Sequence, residues 1–271
     1  MSLAKATRVV PIARHEGAAP ASLRDDAVAA EEPLEIRVGG RSVAVVMRTP
    51  GHDRELAAGF LVTEGIIRRR EEVFDLIHCR NDGGQPEENI LDAVLAPGAV
   101  VDFERLTRHV FTSSSCGICS KATIDAVRTQ FPPIEAPIAP SREILASLPA
   151  KLRAAQQAFD ATGGLHASAL FDQAGVLQAV REDVGRHNAL DKVVGHAFFA
   201  ERLPLRGAVL LVSGRVSFEI MQKALAAGIP VVAAISAPTS AAVEFAQASG
   251  QALVGFLRGE RMNVYAGTLS P

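Results

Sequence analysis

The clearest indication of fold class is GAVLLVSGRVSFEIMQKALAAGIPVVAAIS, residues Gly207–Ser236. Its two short apolar runs, VLLV and VVAA, lie on either side of an amphipathic segment that ends at Gly228. Apolar runs of this length beside turn residues predict buried strands, and the segment between them predicts a helix. A strand, a helix and a second buried strand are typical of a parallel βαβ unit. The pattern therefore predicts an α/β fold with a largely parallel sheet covered by helices on both faces.

Regular patterns extend from this stretch in both directions. Downstream, SAAVEFAQASG predicts a further helix, and upstream, HASALFDQAGVLQAV predicts a hairpin. Nearer the N-terminus, LEIRVGGRSVAVVMRT (Leu34–Thr49) alternates around Gly39–Gly40 and predicts another hairpin. In the helix pattern that follows, Asp53 is the expected N-cap residue.

A proline-rich segment separates two portions of the chain. FPPIEAPIAP (Phe131–Pro140) cannot continue a helix, because proline lacks the amide donor. We therefore predict an N-terminal α+β portion over residues 31–135, which carries the C-x-x-C loop, and a C-terminal α/β portion over residues 136–271, which carries the cofactor-binding loops. Residues 1–30 are rich in Ala, Arg and Pro and lack periodicity, so we predict a flexible arm without regular structure there.

Composition excludes several classes of function. The 271 residues carry a net charge of −2, so a general affinity for nucleic acid is not expected. No segment approaches the roughly 18 consecutive apolar residues of a membrane-spanning helix, and the N-terminus lacks the apolar core of a signal peptide. The 3 cysteines do not make a disulfide framework, which indicates a reducing compartment. We therefore expect a cytoplasmic protein with neither a membrane nor a nucleic-acid partner.

The segment TSSSCGICSK (Thr112–Lys121) places Cys116 and Cys119 in a C-x-x-C pair just before a predicted helix. Backbone N–H groups and the helix dipole at such a position favour a thiolate over a thiol. The pair is compatible with a metal clamp, a redox switch or a carrier of sulfur as a persulfide. Two buried cysteines without chemistry are the structural alternative.

A zinc hydrolase of the deaminase type needs more than this pair. Such enzymes have proline before the first cysteine and an upstream H-x-E motif, whose glutamate shuttles the proton. Here Ser115 precedes Cys116, and no upstream histidine has glutamate two residues later. A thioredoxin-like dithiol usually lies early in a βαβ unit near the chain start, unlike this one. We therefore expect no metal and favour the sulfur carrier.

Polar residues follow both of the strands predicted within Gly207–Ser236. Ser213 and Arg215 come after VLLV, and Ser236 and Thr239 come after VVAA. The carboxyl ends of parallel strands bind ligands in α/β sheets, and helix N-termini there offer donors to phosphate. The sequence therefore predicts an anion-binding rim, although each residue alone is also compatible with a helix cap or an exposed surface position. Further candidates for this rim are Arg181, Arg186, His166, His187, Arg258 and Arg261.

Seven blocks of the chain together resemble one family. In order they are TPGHDRELAAGFLVTEGII, SSSCGICSKA, TGGLHASAL, REDVGRHNALDKVVG, SGRVSFEIMQKALAAGIP, SAPTSAAVEFA and GFLRGERMNVY. They resemble the FdhD family of formate dehydrogenase accessory sulfurtransferases, from about Pro33 to Tyr265. The family motif usually reads C-G-x-C-G, whereas Ser120 stands at its last position here. Because serine is also small, we expect the carrier function to be kept.

The resemblance implies a function, partners and site residues. Members of the family take sulfur from an IscS-like cysteine desulfurase as a persulfide. They deliver it to the molybdenum bis(molybdopterin guanine dinucleotide) cofactor before its insertion into formate dehydrogenase. Carried over, the catalytic pair is Cys116, the persulfide carrier, and Cys119, whose role stays open. The F-x-R-x-x-R stretch that the family uses for cofactor binding corresponds to Phe256, Leu257, Arg258, Gly259, Glu260 and Arg261.

The resemblance also implies a fold and an oligomeric state. The fold is a cytidine deaminase-like mixed sheet with helices on both faces, plus a smaller N-terminal α+β portion, and the protein is a homodimer. Guanine nucleotide mimics such as GDP are expected to bind at the same rim, which adds Ser213, Arg215, Ser236 and Thr239 to the site. The alternative function is a non-catalytic molybdenum cofactor-binding chaperone whose cysteines are only protective.

Overall fold

The computed structural model describes residues 2–81, 83–98 and 130–271. The predicted pair Cys116 and Cys119, and the helix expected after it, lie outside the described residues. The predicted linker, Phe131–Pro140, contains neither helix nor strand. No helix in the described ranges is long and apolar enough to cross a membrane. The division of the chain into three portions stays a prediction.

The N-terminal residues form regular structure. A short helix, α1 (Leu3–Ala6), leads into an antiparallel pair of strands, β1 (Thr7–Arg14) and β2 (Ser22–Ala29). Ala6 is fully buried and belongs to a small apolar cluster with Leu165. The expectation of an arm without regular structure is therefore wrong. Both faces of this hairpin are largely exposed, so its sequence has no alternation of apolar and polar residues that would reveal it.

A four-stranded sheet follows, with the strand order β4-β3-β6-β5. Its elements in chain order, with the helices between them, are β3 (Glu32–Val38), β4 (Arg41–Arg48), α2 (Asp53–Thr63), a 3₁₀ helix (Arg70–Glu72), β5 (Val73–Arg80) and β6 (Pro86–Leu95). β3 and β4 form the predicted hairpin, and at its turn Gly39 and Gly40 have φ angles of 55° and 78°, which glycine adopts without steric cost. Asp53 is the first helical residue of α2, so the N-cap residue is His52 and not Asp53 as expected.

The rest of the chain forms a six-stranded sheet and the helices that pack on it. In chain order these are α3 (Arg142–Ala155), α4 (Gln157–Thr162), β7 (His166–Phe171), β8 (Leu177–Asp183), α5 (Arg186–Phe199), β9 (Val209–Val212), α6 (Phe218–Ala226), β10 (Val231–Ala234), α7 (Ser240–Ser249), β11 (Ala252–Arg258) and β12 (Arg261–Ala266). The strand order is β12-β11-β10-β9-β7-β8. β9, β10 and β11 are parallel, whereas β12, β7 and β8 pair antiparallel. The sheet is therefore mixed and not largely parallel, because antiparallel hairpins flank the parallel centre on both sides.

Helices cover both faces of this sheet, as predicted. Successive residues of a strand point to opposite faces. Leu210 and Val212 of β9 belong to the core cluster that contains α5, α6, α7 and the four-stranded sheet. Val209 and Leu211 belong to a second cluster, which includes Leu148 of α3. The mixed α/β fold with helices on both faces is therefore confirmed.

α2 and α5 are in very close contact. A Cβ atom built on Gly59 of α2 would lie 1.7 Å from the carbonyl oxygen of Asp191 in α5. A Cβ atom built on Gly195 of α5 would lie 1.8 Å from the carbonyl oxygen of Glu55 in α2. Neither position has room for a side chain, so these two glycines set the distance between the helices.

Candidate functional site

A cleft of about 700 Å³ lies beside the turn that joins β11 to β12. Its lining includes Arg153 of α3, Phe159 of α4 and the Gly163–Gly164 pair that follows α4. It also includes His166 at the start of β7 and Ser213 directly after β9. Small-molecule sites in proteins usually have volumes of about 300–1,000 Å³. The cleft is therefore large enough for a nucleotide-sized ligand.

Four of the predicted cofactor-binding residues line this cleft, namely Ser213, Leu257, Arg258 and Gly259. Leu257 is fully buried in the core cluster beneath the sheet and anchors the end of β11. Gly259 begins the turn with a φ of 59°, a conformation that favours glycine. The buried leucine and the tight turn together hold the exposed Arg258 at the cleft.

The remaining predicted cofactor-binding residues do not line the cleft. They are Phe256, Glu260, Arg261, Arg215, Ser236 and Thr239. Thr239 caps α7, because its hydroxyl oxygen accepts a hydrogen bond from the backbone N–H of Ala242 at 3.3 Å. The carbonyl oxygen of Ser236 accepts a hydrogen bond from the backbone N–H of Phe256 at 3.0 Å. The contribution of these residues to cofactor binding stays a prediction.

Arg153, Phe159 and the glycine pair Gly163–Gly164 were not predicted from the sequence. The guanidinium carbon of Arg153 lies 5.2 Å from the ring centroid of Phe159, which is a cation–π contact, and Arg153 also pairs with Asp160. The helices α3 and α4 carry no sequence motif that would mark these residues. The sequence signal that could have predicted this part of the cleft is TGG, Thr162–Gly164, shortly before β7, because paired glycines indicate a turn with exposed backbone.

Two histidines lie at or near this cleft. His166 lines it, and burial lowers the pKa of its imidazole, as does the charge of Arg186, while Asp183 opposes both. Burial, together with Arg186, lowers the pKa of His187 to about 3. The Nε2 atom of His187 lies 3.2 Å from the Glu219 carboxylate. His187 is therefore neutral at physiological pH, and the lowered pKa of His166 also favours its neutral form.

Arg181 was expected at the anion-binding rim, but it forms an ion pair elsewhere. Its Nη2 donates to Glu55 Oε1 at 2.6 Å, and its Nε donates to the other carboxylate oxygen. Burial raises the pKa of the Glu55 carboxyl, but Arg181 and His52 outweigh burial and hold that pKa well below its usual range. The pair joins β8 to α2 and leaves Arg181 with its charge already compensated.

No group of three or more His, Cys, Asp or Glu side chains in the described part of the chain is arranged to hold a metal ion. Cys79 is described and is a free, partly buried thiol. The predicted catalytic pair, Cys116 and Cys119, lies outside the ranges to which this observation applies.

The sequence matches one family over most of its length. The profile of the FdhD/NarQ family matches residues 29–269. A relative named "Sulfur carrier protein FdhD" from Streptomyces avermitilis is 54% identical over 255 residues, covering 91% of this chain and 89% of the relative. A relative of the same name from Mycobacterium tuberculosis is 52% identical over 259 residues, covering 93% of this chain and 94% of the relative.

The fold also matches a solved structure. A protein from Desulfotalea psychrophila, described as a candidate formate dehydrogenase accessory protein, has a TM-score of 0.73 with this chain. The match covers 96% of both chains at 23% sequence identity, so it supports the fold alone. The family profile and the curated relatives cover nearly the whole sequence, and the chain therefore belongs to the FdhD/NarQ family.

Proposed function

We propose that this protein is a cytoplasmic sulfurtransferase that delivers sulfur to a molybdenum cofactor. Cys116 receives sulfur as a persulfide from an IscS-like cysteine desulfurase. The acceptor is the molybdenum bis(molybdopterin guanine dinucleotide) cofactor, before its insertion into formate dehydrogenase. The proposal is supported by membership of the family, by relatives named as sulfur carriers, and by the cleft. The two protein partners and a homodimeric state are proposed on the resemblance alone.

The first step is a thiol–disulfide-type exchange. The Cys116 thiolate attacks the terminal sulfur of the desulfurase persulfide, a new S–S bond forms, and the desulfurase cysteine leaves as a thiolate. No external oxidant or reductant is needed, because one S–S bond replaces another. In the second step the S–S bond breaks, Cys116 leaves as the thiolate, and the acceptor supplies the electrons that reduce the transferred sulfur to the sulfide level. Cys119 belongs to the same site, and its role stays open.

The cleft beside the β11–β12 turn carries this proposal on the structural side. A guanine dinucleotide brings a pyrophosphate, and arginine guanidinium groups bind phosphate through pairs of charge-assisted hydrogen bonds. Arg258 and Arg153 both line the cleft, although Arg153 also pairs with Asp160. Ser213 lines it as well, although its Oγ already accepts a hydrogen bond from the backbone N–H of Ala167 at 2.9 Å. The lining therefore suits the nucleoside diphosphate end of the cofactor.

The carrier role is tested by intact-protein mass spectrometry after incubation with desulfurase and cysteine. We expect the wild-type protein to gain a cyanide-labile adduct of about 32 Da, the mass of one persulfide sulfur. Cys116→Ala abolishes the gain. Cys79→Ala is the matched control and keeps it, because Cys79 lies on β5, outside the predicted site. An adduct on Cys116→Ala at the wild-type level would show that Cys116 is not the carrier.

The competing function is a cofactor chaperone without a catalytic thiol. A chaperone would need only to bind the nucleotide part of the cofactor in the cleft, and that binding requires no cysteine. A variant that combines Cys116→Ala with Cys119→Ala distinguishes the two functions. Sulfur transfer predicts that this variant binds GDP normally but fails to activate formate dehydrogenase, whereas a chaperone predicts normal activation.

A further inference from the structure

Arg186 is the first residue of α5, and its buried Nε atom has no hydrogen-bond partner among the residues that the structure describes. A buried donor that lost its water and found no acceptor costs free energy, and native proteins seldom leave such a group unexplained. Neither of the two nearby carboxylates hydrogen-bonds to Arg186. Asp183 pairs with Lys192 at 2.6 Å. Glu219, which lies 3.2 Å from the neutral His187, interacts with the charge of Arg186 without a hydrogen bond. Within the described residues, Arg186 is therefore a cation that lacks an anionic acceptor at hydrogen-bond distance.

Arg186 lies beside the His166 end of the cleft. A Cβ atom built on Gly214 would lie 3.2 Å from His166 Nδ1 and 3.8 Å from Arg186 Cβ, so Gly214 separates the two side chains. His166 and Ser213, the residue before Gly214, both line the cleft. A side chain at Gly214 would crowd the His166 imidazole, so the glycine lets the backbone after β9 come close to both His166 and Arg186.

The charges at this end of the cleft favour an anion. His187 is neutral at physiological pH, and the pKa of His166 is also lowered, so Arg186 supplies the positive charge while a neutral imidazole can donate one N–H. The N-cap residue of α5 is Gly185, which offers no side-chain acceptor to the first backbone N–H groups of this 14-residue helix. These groups add positive potential to that of Arg186.

We propose that Arg186, His166 and the backbone around Gly214 form an oxyanion subsite at one end of the cleft, which binds a phosphate-type group. The subsite rests on the proposed function in one respect, namely that its natural occupant is the pyrophosphate of the cofactor. In this subsite Arg186 contacts a phosphate group next to Ser213, at the end of β9. Arg258 contacts the cofactor from the β11–β12 turn. The subsite itself requires no thiol.

The test is calorimetric titration of the protein with inorganic pyrophosphate. We expect Arg186→Gln to weaken binding by at least about tenfold, the loss typical of one charge-assisted hydrogen bond. Arg186→Lys keeps the charge but not the planar fork, so it is expected to lose part of the affinity. Arg202→Gln is the matched control, because Arg202 is exposed beyond the opposite end of α5, and we expect it to bind like the wild type. Equal affinity of Arg186→Gln and the wild type would overturn the subsite.

A second measurement on the wild-type protein covers the case in which Arg186→Gln does not fold. Histidine ring protons are followed by NMR during the pyrophosphate titration, and the His166 signal is assigned with His166→Gln. We expect the His166 signal to shift with saturation while that of the exposed His15 stays in place. An unchanged His166 signal at saturating pyrophosphate, or no pyrophosphate binding at all, would also overturn the subsite.

Two further ligands distinguish failure of the subsite from failure of the proposed function. Binding of GDP that depends on Arg258 and not on Arg186 would keep the cofactor cleft and overturn the subsite. Pyrophosphate binding that depends on Arg186, without any GDP binding, would keep the subsite and overturn the guanine dinucleotide as its occupant. Inorganic phosphate that binds as tightly as pyrophosphate would support the subsite and identify its occupant as a free oxyanion.

Discussion

Among single residues, two arginines of the β11–β12 hairpin differ in whether they line the cleft, because they lie on different strands. Arg258 and Arg261 face each other in the β11–β12 register, and both are exposed. Arg258 lines the cleft and Arg261 does not. The sequence treats the two arginines alike as members of one motif, whereas the hairpin places them on different strands.

The first prediction concerns these two arginines. We expect Arg258→Ala to weaken GDP binding by about 1.5–3 kcal/mol, because charge-assisted hydrogen bonds to phosphate are lost. The motif predicts a similar loss for Arg261→Ala, and the geometry predicts a smaller one. Calorimetry of both variants measures the difference. Unchanged affinity in Arg258→Ala would place the nucleotide elsewhere.

The second prediction is a pH dependence caused by Glu55. Its pKa is lower in the folded protein than in the unfolded chain, so it stabilises the fold above the unfolded pKa of about 4.3. This contribution decreases as the pH falls below that value and is lost once the pH passes the folded pKa. Glu55→Gln is therefore expected to cost about 1.5–3 kcal/mol at pH 7, the value of hydrogen bonds to charged groups.

Urea unfolding of the wild type and Glu55→Gln, from pH 7 down to the acid limit of the fold, measures this effect. The difference in free energy of unfolding should shrink steadily below about pH 4.3, the unfolded value for Glu. Glu16→Gln is the control, since Glu16 makes only exposed ion pairs and its loss should change little at any pH. A difference independent of pH would contradict the assignment to the Glu55 charge.

At the scale of the element, the contact between α2 and α5 is controlled by glycine. Gly59 and Gly195 let the backbone of each helix approach the carbonyl groups of the other. A glycine within a helix normally costs stability relative to alanine. Here close packing outweighs that cost, because a methyl group at either position would overlap backbone atoms that cannot rotate away.

The third prediction follows from this packing. Gly59→Ala should lower the free energy of unfolding by more than about 3 kcal/mol, the upper end of ordinary overpacking, because the helices must separate. Gly207→Ala is the matched control, since its added Cβ would meet Gln173 Nε2 at 3.4 Å, an ordinary contact. Denaturant unfolding measures both. A gain in stability from Gly59→Ala, as helix propensity alone predicts, would contradict the close contact.

At the scale of the whole molecule, a buried charge network connects elements that are distant in the sequence. Lys223 of α6 donates to both carboxylate oxygens of Asp191 in α5, at 3.2 and 3.0 Å, and to Thr63 at the end of α2 at 2.9 Å. Both charged side chains are almost fully buried, and burial raises the pKa of Asp191 to about 6. The network therefore couples three helices through charges that have little access to water.

The fourth prediction is that this network is costly to break on one side. Lys223→Met leaves a buried carboxylate without its cation and should cost about 3–5 kcal/mol of unfolding free energy. Adding Asp191→Leu should recover part of that loss, so the two changes are not additive. Lys5→Met, which removes an exposed ion pair, is the control and should cost less than about 1 kcal/mol. Additive losses in thermal unfolding would show that the two groups act independently.

The sequence was most informative where burial follows a local period. The apolar runs in Gly207–Ser236 predicted β9, α6 and β10, and the alternation around Gly39–Gly40 predicted the first long hairpin. It was least informative where burial is weak, as in the N-terminal hairpin, and where antiparallel strands flank a parallel centre. The same holds for the residues of the site, which the sequence predicted only where a local motif marks them. Arg258 was predicted through a local motif, whereas Arg153 belongs to an ordinary helix and became part of the cleft only through folding.

The α/β class, the succession of most of the helices and strands and, through the motifs, the family of this chain could therefore be predicted from local patterns. Only the folded structure shows that Arg181 pairs with Glu55, that His166 lines a cleft, and that Arg186 has no acceptor among the described residues. The physical reason is that periodicity reports how one segment is buried. The partner of a charge, by contrast, depends on residues that lie more than a hundred positions away, as Glu55 and Arg181 do.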